Sequence, residues 1–235
     1  MALKLDILAF AAHPDDIELS CSGTLMHHIA MGKKVGIVDL TRGELGTRGS
    51  AELRDEEALK SSKIMGINAR ENLGMPDGFF ENNRENQFKI IEIIRKYQPE
   101  LVLANALNDR HIDHGRAAEL IHNACFLSGL SKITTGSLAA WRPKRILHYI
   151  QDYYATPDVV VDITPWYEKK KECILAFSSQ FYNPESKEPE TPISSLGFFK
   201  FLEARSREMG RCIGVEYGEG FISPTPIQLN NLLEP

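Results

Sequence analysis

The sequence lacks the features of a secreted protein, a membrane protein or a thiolate metal site. No apolar run approaches the roughly 20 residues that span a bilayer, and the N-terminus lacks the charged, apolar and small-residue order of a signal peptide. The four cysteines form no CxxC pair, so they predict neither a zinc site built on thiolates nor a redox motif. We therefore expect a cytoplasmic protein with no membrane partner, whose cysteines are reduced and mostly buried.

Positive charge is in short supply as well. The chain has 27 Lys and Arg against 32 Asp and Glu, which gives a net charge of −5, and no basic stripe stands out. This balance argues against a nucleic-acid partner, and a small molecule is the expected ligand. With 235 residues the chain can bury a sizeable core, and we expect a single domain over 1–235.

Apolar runs alternate with helix-length segments along the first half of the chain. Such alternation is typical of βαβ units and a parallel sheet. The predicted strands are 3–11, 34–40, 69–73, 100–105, 145–151, 158–163 and 213–217. The predicted helices are 17–31, 51–65, 85–97, 115–127, 166–176 and 194–210. We expect an α/β fold with a Rossmann-like, mostly parallel sheet flanked by helices: a core over 1–130 and a mixed C-terminal extension over 131–235 that forms part of the pocket.

Two polar segments follow the first and fourth predicted strands. "HPDD" occupies residues 13–16, and "DRHIDHGR" occupies residues 109–116. In the strand order 3-2-1-4 the first and fourth strands are neighbours, and ligands bind beyond the carboxyl ends of strands at this switch point. The two segments are therefore expected to face each other.

Together these segments contain enough histidine and aspartate for a metal site. Two imidazoles and one carboxylate suffice for a catalytic zinc and leave a position for water. The expected ligands are His13, Asp16 and His114, with Asp15 directed at the water. His111, paired with Asp113, is expected to be a second polarised imidazole.

The alternative is that these aspartates have a structural role only, as helix caps. Capping, however, needs no histidines. The remaining histidines, His27, His28, His122 and His148, are interpreted as surface or core residues. A site of two histidines and one aspartate accepts Zn²⁺, Fe²⁺ or Co²⁺, so the metal stays open.

A glycine-containing segment, "TRGELGTRG" at residues 41–49, follows the second predicted strand. It matches neither the dinucleotide-binding fingerprint nor the P-loop pattern, which argues against a nucleotide. Glycine lets the backbone approach a ligand closely, so a sugar is favoured. Arg54 lies four residues after the predicted cap Ser50. Two interpretations remain open for it, a side chain in the site or a surface pair with an acid such as Asp55.

The motifs "AAHPDDIE" (11–18) and "HIDHGRA" (111–117) resemble those of the LmbE-like (PIG-L) zinc-dependent N-acetylglucosamine deacetylases. The resemblance implies that His13, Asp16 and His114 bind Zn²⁺ and that Asp15 is the general base. It also implies that His111 and Asp113 form a supporting pair. Related enzymes are commonly trimers or hexamers, so a homo-oligomer is implied too.

Four further segments, "TRGELGTRG", "RDEEA", "SQFYN" and "EYGEGF", resemble the bacillithiol-biosynthesis branch of this family. The likeness spans residues 5–222. It implies removal of acetate from N-acetyl-α-D-glucosaminyl L-malate. The alternatives are a zinc amidohydrolase acting on a chitobiose-type sugar or a thiol-conjugate amide, and a non-catalytic metal- or sugar-binding protein.

The two carboxylates of malate call for a cationic partner in the pocket. Arg110 is the first candidate, because it lies in the segment that delivers His111 and His114. Arg54 is the second, and it matches a pocket arginine of the resembling family. The alternative is that Arg110 pairs with Asp109 or with a surface acid.

Overall fold

The computed structural model describes residues 3–228 and 231, and a seven-stranded sheet forms its centre. Residues 1, 2, 229, 230 and 232–235 of the expected domain lie outside the described residues. The strands are β1 (Ile7–Ala11), β2 (Val35–Asp39), β3 (Ala69–Asn72), β4 (Leu101–Ala104), β5 (Arg145–Tyr149), β6 (Val159–Asp162) and β7 (Gly218–Ile222). The helices are α1 (Asp16–Ser20), α2 (Ser22–Ala30), α3 (Ala51–Met65), α4 (Arg84–Tyr97), α5 (Ile112–Ser128), α6 (Tyr167–Leu175) and α7 (Leu196–Ile213). A 3₁₀ turn, Thr164–Trp166, precedes α6.

The strand order is β3-β2-β1-β4-β5-β7-β6. The first five of these strands are parallel, whereas β7 runs antiparallel to both β5 and β6. The predicted mostly parallel α/β sheet and the 3-2-1-4 order are therefore confirmed. Because β1 pairs directly with β4, the loops that follow these two strands emerge side by side.

The central strands β1 and β2 are buried on both faces, as is typical of a parallel sheet. Successive side chains of β1 alternate between two apolar clusters: Leu8 and Phe10 belong to one, Ile7 and Ala9 to the other. With both faces of β1 in apolar surroundings, the polar groups of this segment collect beyond its carboxyl end.

The structure corrects two of the predicted elements. The last strand was predicted at 213–217, but α7 continues to Ile213 and ends at Gly214, which adopts a left-handed φ of 78°. The strand is Gly218–Ile222. The helix predicted at 17–31 divides into α1 and α2, because Cys21 has non-helical dihedral angles, φ −141° and ψ 14°.

Three of the cysteines are buried, Cys21, Cys125 and Cys173, and Cys212 is exposed, all without a disulfide. No helix in the described part of the chain is long and apolar enough to cross a membrane.

A buried ion pair joins the C-terminal strands to the first helices. Lys170 Nζ lies 2.5 Å from Glu219 Oε1, and both side chains are 2% exposed. The same carboxylate accepts the backbone N–H groups of Gly23 and Thr24 in the first turn of α2. Glu219 thus connects β7, α6 and α2.

Lys170→Ala is expected to lower the free energy of unfolding by about 3–5 kcal/mol, because it leaves a buried carboxylate without its counter-charge. Chemical denaturation measures the loss. The control is Lys171→Ala, whose side chain is 40% exposed and pairs with the exposed Glu168. That change is expected to cost about 1 kcal/mol or less. Equal losses in the two variants would contradict the prediction.

Candidate active site

The loop after β1 contains an aspartate with unusual backbone geometry. Asp15 has a φ of 133°, which is uncommon for any residue except glycine. It occupies the cap position of α1, yet its side chain makes no capping hydrogen bond. Capping therefore does not explain Asp15, and a strained backbone of this kind is typical of functional positions.

The carboxylate of Asp16 is the centre of a buried polar cluster. Its Oδ1 lies 3.1 Å from His114 Nε2, and its Oδ2 lies 3.8 Å from His13 Nδ1. Asn105 and Gln151 donate side-chain N–H groups to the same carboxylate at 2.9 and 3.1 Å. Burial raises the pKa of Asp16, but the charges and hydrogen bonds of the two histidines outweigh it and hold the pKa well below its ordinary value.

The ring of His114 is fixed from its other side. Its Nδ1 lies 2.5 Å from Asp109 Oδ2. Asp109 itself is held because its Oδ1 accepts the backbone N–H groups of Asp152 and Tyr153. Burial lowers the pKa of His114, yet Asp16 and Asp109 raise it to about 9. Nε2 is thereby directed at Asp16.

His13 is held in a similar way by two carboxylates. Its Nε2 lies 3.0 Å from Asp77 Oδ1 and 3.3 Å from Asp113 Oδ2. Burial lowers the pKa of His13, but Asp113, Asp77 and Asp16 together raise it to about 10. Nδ1, the opposite ring nitrogen, is the one on the side of Asp16.

His111 and Asp113 are in contact, but not in the expected way. His111 is the cap residue of α5, and its Nδ1 accepts the backbone N–H of Asp113 at 3.3 Å. The carboxylate of Asp113 instead contacts His13, the N–H of Gly78 and the guanidinium of Arg116. Burial and the positive charge of the neighbouring imidazoles lower the pKa of His111. With Nδ1 accepting, the proton of the neutral ring is on Nε2.

Two groups in the described part of the chain bring metal-binding atoms within 4.8 Å of one another: His13, His111 and His114, and His13, Asp77 and Asp113. In the second group each carboxylate already accepts a backbone N–H, from Leu45 and Gly78. Nitrogen and oxygen ligands of a tetrahedral zinc lie about 3.4 Å apart. The distances from the two oxygens of Asp16 to His114 and His13, 3.1 and 3.8 Å, lie on either side of that value. Asp16 belongs to neither group, but His13, Asp16 and His114 supply the two imidazoles and one carboxylate that suit a divalent metal.

Asp15 and Arg54 lie next to this cluster. Asp15 is 6% exposed, and its burial raises the pKa to about 7, although the charge of Arg54 acts in the opposite direction. Arg54, in α3, is 5% exposed and its guanidinium packs against Gly43 and Gly46. A Cβ atom at either glycine would displace the end of this guanidinium, and Gly43 also has a positive φ of 64°, which favours glycine.

Arg54 does not make the surface pair that was one of its two interpretations. The surface partner considered for it, Asp55, is bound by Arg42 instead. Arg54 is buried, and its charge acts on both Asp15 and Asp77.

Arg110 has the opposite orientation. Its side chain is 46% exposed, and its Nε donates to the carboxylate of Asp152. In this structure Arg110 therefore makes the surface ion pair that was its alternative interpretation.

Four polar residues of the cluster were missed by sequence reasoning: Asn105, Asp109, Gln151 and Asp77. All of them follow the carboxyl ends of β3, β4 or β5, at the same edge of the sheet as the histidines. Their position just after a strand was the one signal in the sequence that could have identified them as site residues. Amide side chains and single aspartates are common in loops, so residue type alone gave no reason to select them.

A family model described as "PIG-L: GlcNAc-PI de-N-acetylase" matches residues 8–125, half of the chain, including both histidine segments. A diacetylchitobiose deacetylase from Thermococcus kodakarensis is 28% identical over 186 residues, which cover 74% of this chain and 70% of that protein. A 4-oxalmesaconate hydratase from Pseudomonas putida is 25% identical and covers 74% and 73% of the two chains. Among solved structures, the conserved protein TT1542 from Thermus thermophilus is 35% identical with a TM-score of 0.87, covering 97% of this chain and 98% of that one.

Proposed function

We propose that this chain, which belongs to the PIG-L (GlcNAc-PI de-N-acetylase) family, is a metal-dependent hydrolase that removes acetate from an N-acetylglucosamine glycoside. One observation supports the proposal above all. Two loops from neighbouring strands place His114 and His13 at 3.1 and 3.8 Å from the carboxylate of Asp16, and the adjacent Asp15 is buried. Metal binding alone has no need of Asp15, so its presence favours an enzyme over a binding protein.

His13, Asp16 and His114 would hold the metal, with Asp109 and Asp77 behind the two histidines. A divalent ion in such a site lowers the pKa of water toward about 7, which makes a nucleophile available at neutral pH. Zn²⁺ is the proposed ion, and Fe²⁺ or Co²⁺ suit the same donors.

Asp15 is the proposed general base. Its carboxylate accepts the proton of the water that attacks the acetyl carbonyl. Burial keeps this carboxylate away from bulk solvent, and the buried Arg54 supplies a compensating charge.

His111 is the proposed donor to the oxygen that becomes negatively charged. Because Nδ1 accepts the N–H of Asp113, Nε2 carries a proton that the neutral ring donates to that oxygen. The amine then leaves with a proton supplied by Asp15 or by His111.

The proposed substrate is N-acetyl-α-D-glucosaminyl L-malate, with diacetylchitobiose as the alternative. The first follows from the resemblance of four segments to the bacillithiol branch. The second draws support from the 28% identical deacetylase. Because the 25% identical relative is a hydratase, relatives carry out other reactions as well, and the release of acetate must be measured directly.

The test is the release of acetate from three compounds, each with and without a chelator: the malate glycoside, N-acetylglucosamine and diacetylchitobiose. The proposal expects chelator-sensitive acetate release, fastest from the malate glycoside. Fastest release from diacetylchitobiose would transfer the assignment to the alternative. No release from any of them would contradict the deacetylase proposal.

Arg110→Ala is expected to lower kcat/KM for the malate glycoside about 10- to 100-fold, the effect of losing a charge-assisted hydrogen bond to a carboxylate. Turnover of N-acetylglucosamine, which has no carboxylate, should barely change. Comparing the two substrates with the same enzyme preparation measures the difference. This role requires Arg110 to leave Asp152 and turn toward the substrate. Equal losses on both substrates would show that Arg110 does not recognise malate.

A further inference from the structure

A turn over residues 75–80, between β3 and α4, is hydrogen-bonded to the glycine-containing loop and to the first turn of α5. The N–H of Asp77 donates to Glu44 Oε1 at 2.8 Å, and the N–H of Leu45 donates to Asp77 Oδ2 at 2.9 Å. On the other side of the turn, the N–H of Gly78 donates to Asp113 Oδ2 at 2.8 Å. The turn therefore connects the glycine-containing loop, residues 41–49, with the start of α5.

The side chain of Asp77 also contacts the imidazole ring of His13. Its Oδ1 lies 3.0 Å from His13 Nε2, and the two side chains are only 7% and 10% exposed. When His13 offers Nδ1 to a metal, its Nε2 carries a proton. Asp77 then faces two donors, that N–H and the N–H of Leu45. The carboxylate of Asp77 offers one oxygen to each of them.

We infer that Asp77 is a positioning residue, which fixes the ring of His13 with Nδ1 toward Asp16 and joins this ring to the glycine-containing loop. The inference rests on the proposed metal site. A carboxylate behind an imidazole ligand sets the orientation of the ring and raises its basicity as a ligand. Removing such a partner typically weakens metal binding about 10- to 100-fold.

Asp113 also approaches His13, but it is less available. Its Oδ2 is 3.3 Å from Nε2 and accepts the N–H of Gly78 as well, while its Oδ1 accepts from Arg116. Asp77 Oδ1 has the shorter contact, and the N–H of Leu45 is bound by the other oxygen, Oδ2. Of the two carboxylates, Asp77 is the closer to Nε2 and the one that also binds the glycine-containing loop.

The decisive variant is Asp77→Asn. Asparagine keeps the size of the side chain but replaces one acceptor by an NH₂ donor, so either His13 or Leu45 loses its partner. We expect the dissociation constant for Zn²⁺, measured by competition with a chromogenic chelator, to rise about 10- to 100-fold. The visible spectrum of the Co²⁺-loaded variant should change as well, because it reports the geometry of the ligands.

Glu44→Gln is the matched control. It weakens the same connection between the loop and the turn, since Glu44 accepts the N–H groups of Asp77 and Arg42, but it leaves His13 alone. Its Zn²⁺ affinity and Co²⁺ spectrum should equal those of the unmodified protein. Circular dichroism of the metal-free proteins verifies folding. If Asp77→Asn does not fold, Asp77→Glu replaces it in the same measurements. Glutamate retains both carboxylate oxygens but displaces them by one methylene relative to His13.

The outcomes separate the two proposals. An unmodified protein that binds no metal would contradict the proposed function itself. If that protein binds Zn²⁺ and Asp77→Asn binds it equally well, the role of Asp77 is wrong. If Glu44→Gln weakens binding as much as Asp77→Asn, Asp77 acts through the loop and not through His13, which also overturns the inference.

Discussion

His114→Ala is expected to retain no divalent metal and no deacetylase activity. Catalytic zinc sites use three protein ligands, and this change leaves only His13 and Asp16 of the proposed set. It also removes the imidazole that lies 3.1 Å from the buried Asp16 carboxylate. Elemental analysis after dialysis against metal-free buffer measures the metal content, and acetate release measures the activity.

The control is His122→Ala. His122 lies on the same helix, α5, but is exposed and outside the cluster. This variant should keep both its metal and its activity. Full metal content in His114→Ala would remove His114 from the ligand set.

Asp15→Asn should separate the chemical step from metal binding. Asparagine has almost the same shape and tolerates a positive φ better than most residues, so the loop after β1 should keep its conformation. An amide does not accept the proton of the attacking water, so kcat should fall about 10²- to 10⁴-fold. The metal content should equal that of the unmodified protein, because Asp15 is not among the proposed ligands.

The exposed Asp55 provides the control for this substitution. Asp55→Asn makes the same chemical change in α3, where the side chain contacts only Arg42 among the described residues. Its kcat should be unchanged. Near-normal turnover of Asp15→Asn would instead show that Asp15 has only a structural role and is not the general base.

The meeting of the two histidine segments was predictable from the sequence. Parallel strands joined by helices follow few topologies, and the 3-2-1-4 order places β1 beside β4. Residues 13–16 follow β1 and residues 109–114 lie between β4 and the first turn of α5, so their proximity depends mainly on topology. The strand order confirms that expectation.

What the sequence left open depends on side-chain direction and on longer connections. Arg54 and Arg110 both lie near the site in sequence terms, yet the first is 5% exposed and the second pairs with Asp152 at the surface. Asp77 lies five residues beyond the end of β3, in a turn whose path no periodicity predicts. The partner of the Asp113 carboxylate, His13 in place of His111, is likewise a matter of rotamers.

The distance along the chain between the two halves of the site has a consequence for the order of folding. The contact between His13 and Asp113 joins residues 100 positions apart, and the pairing of β1 with β4 closes this long loop. Contacts this remote form slowly, because the chain must lose much entropy before it gains them. A growing chain that has been synthesised only as far as α4 contains His13 and Asp16 but not His114. Such a chain lacks one of the proposed ligands, so we expect tight metal capture to follow the closure of the central sheet and to mark the molecules that have completed it.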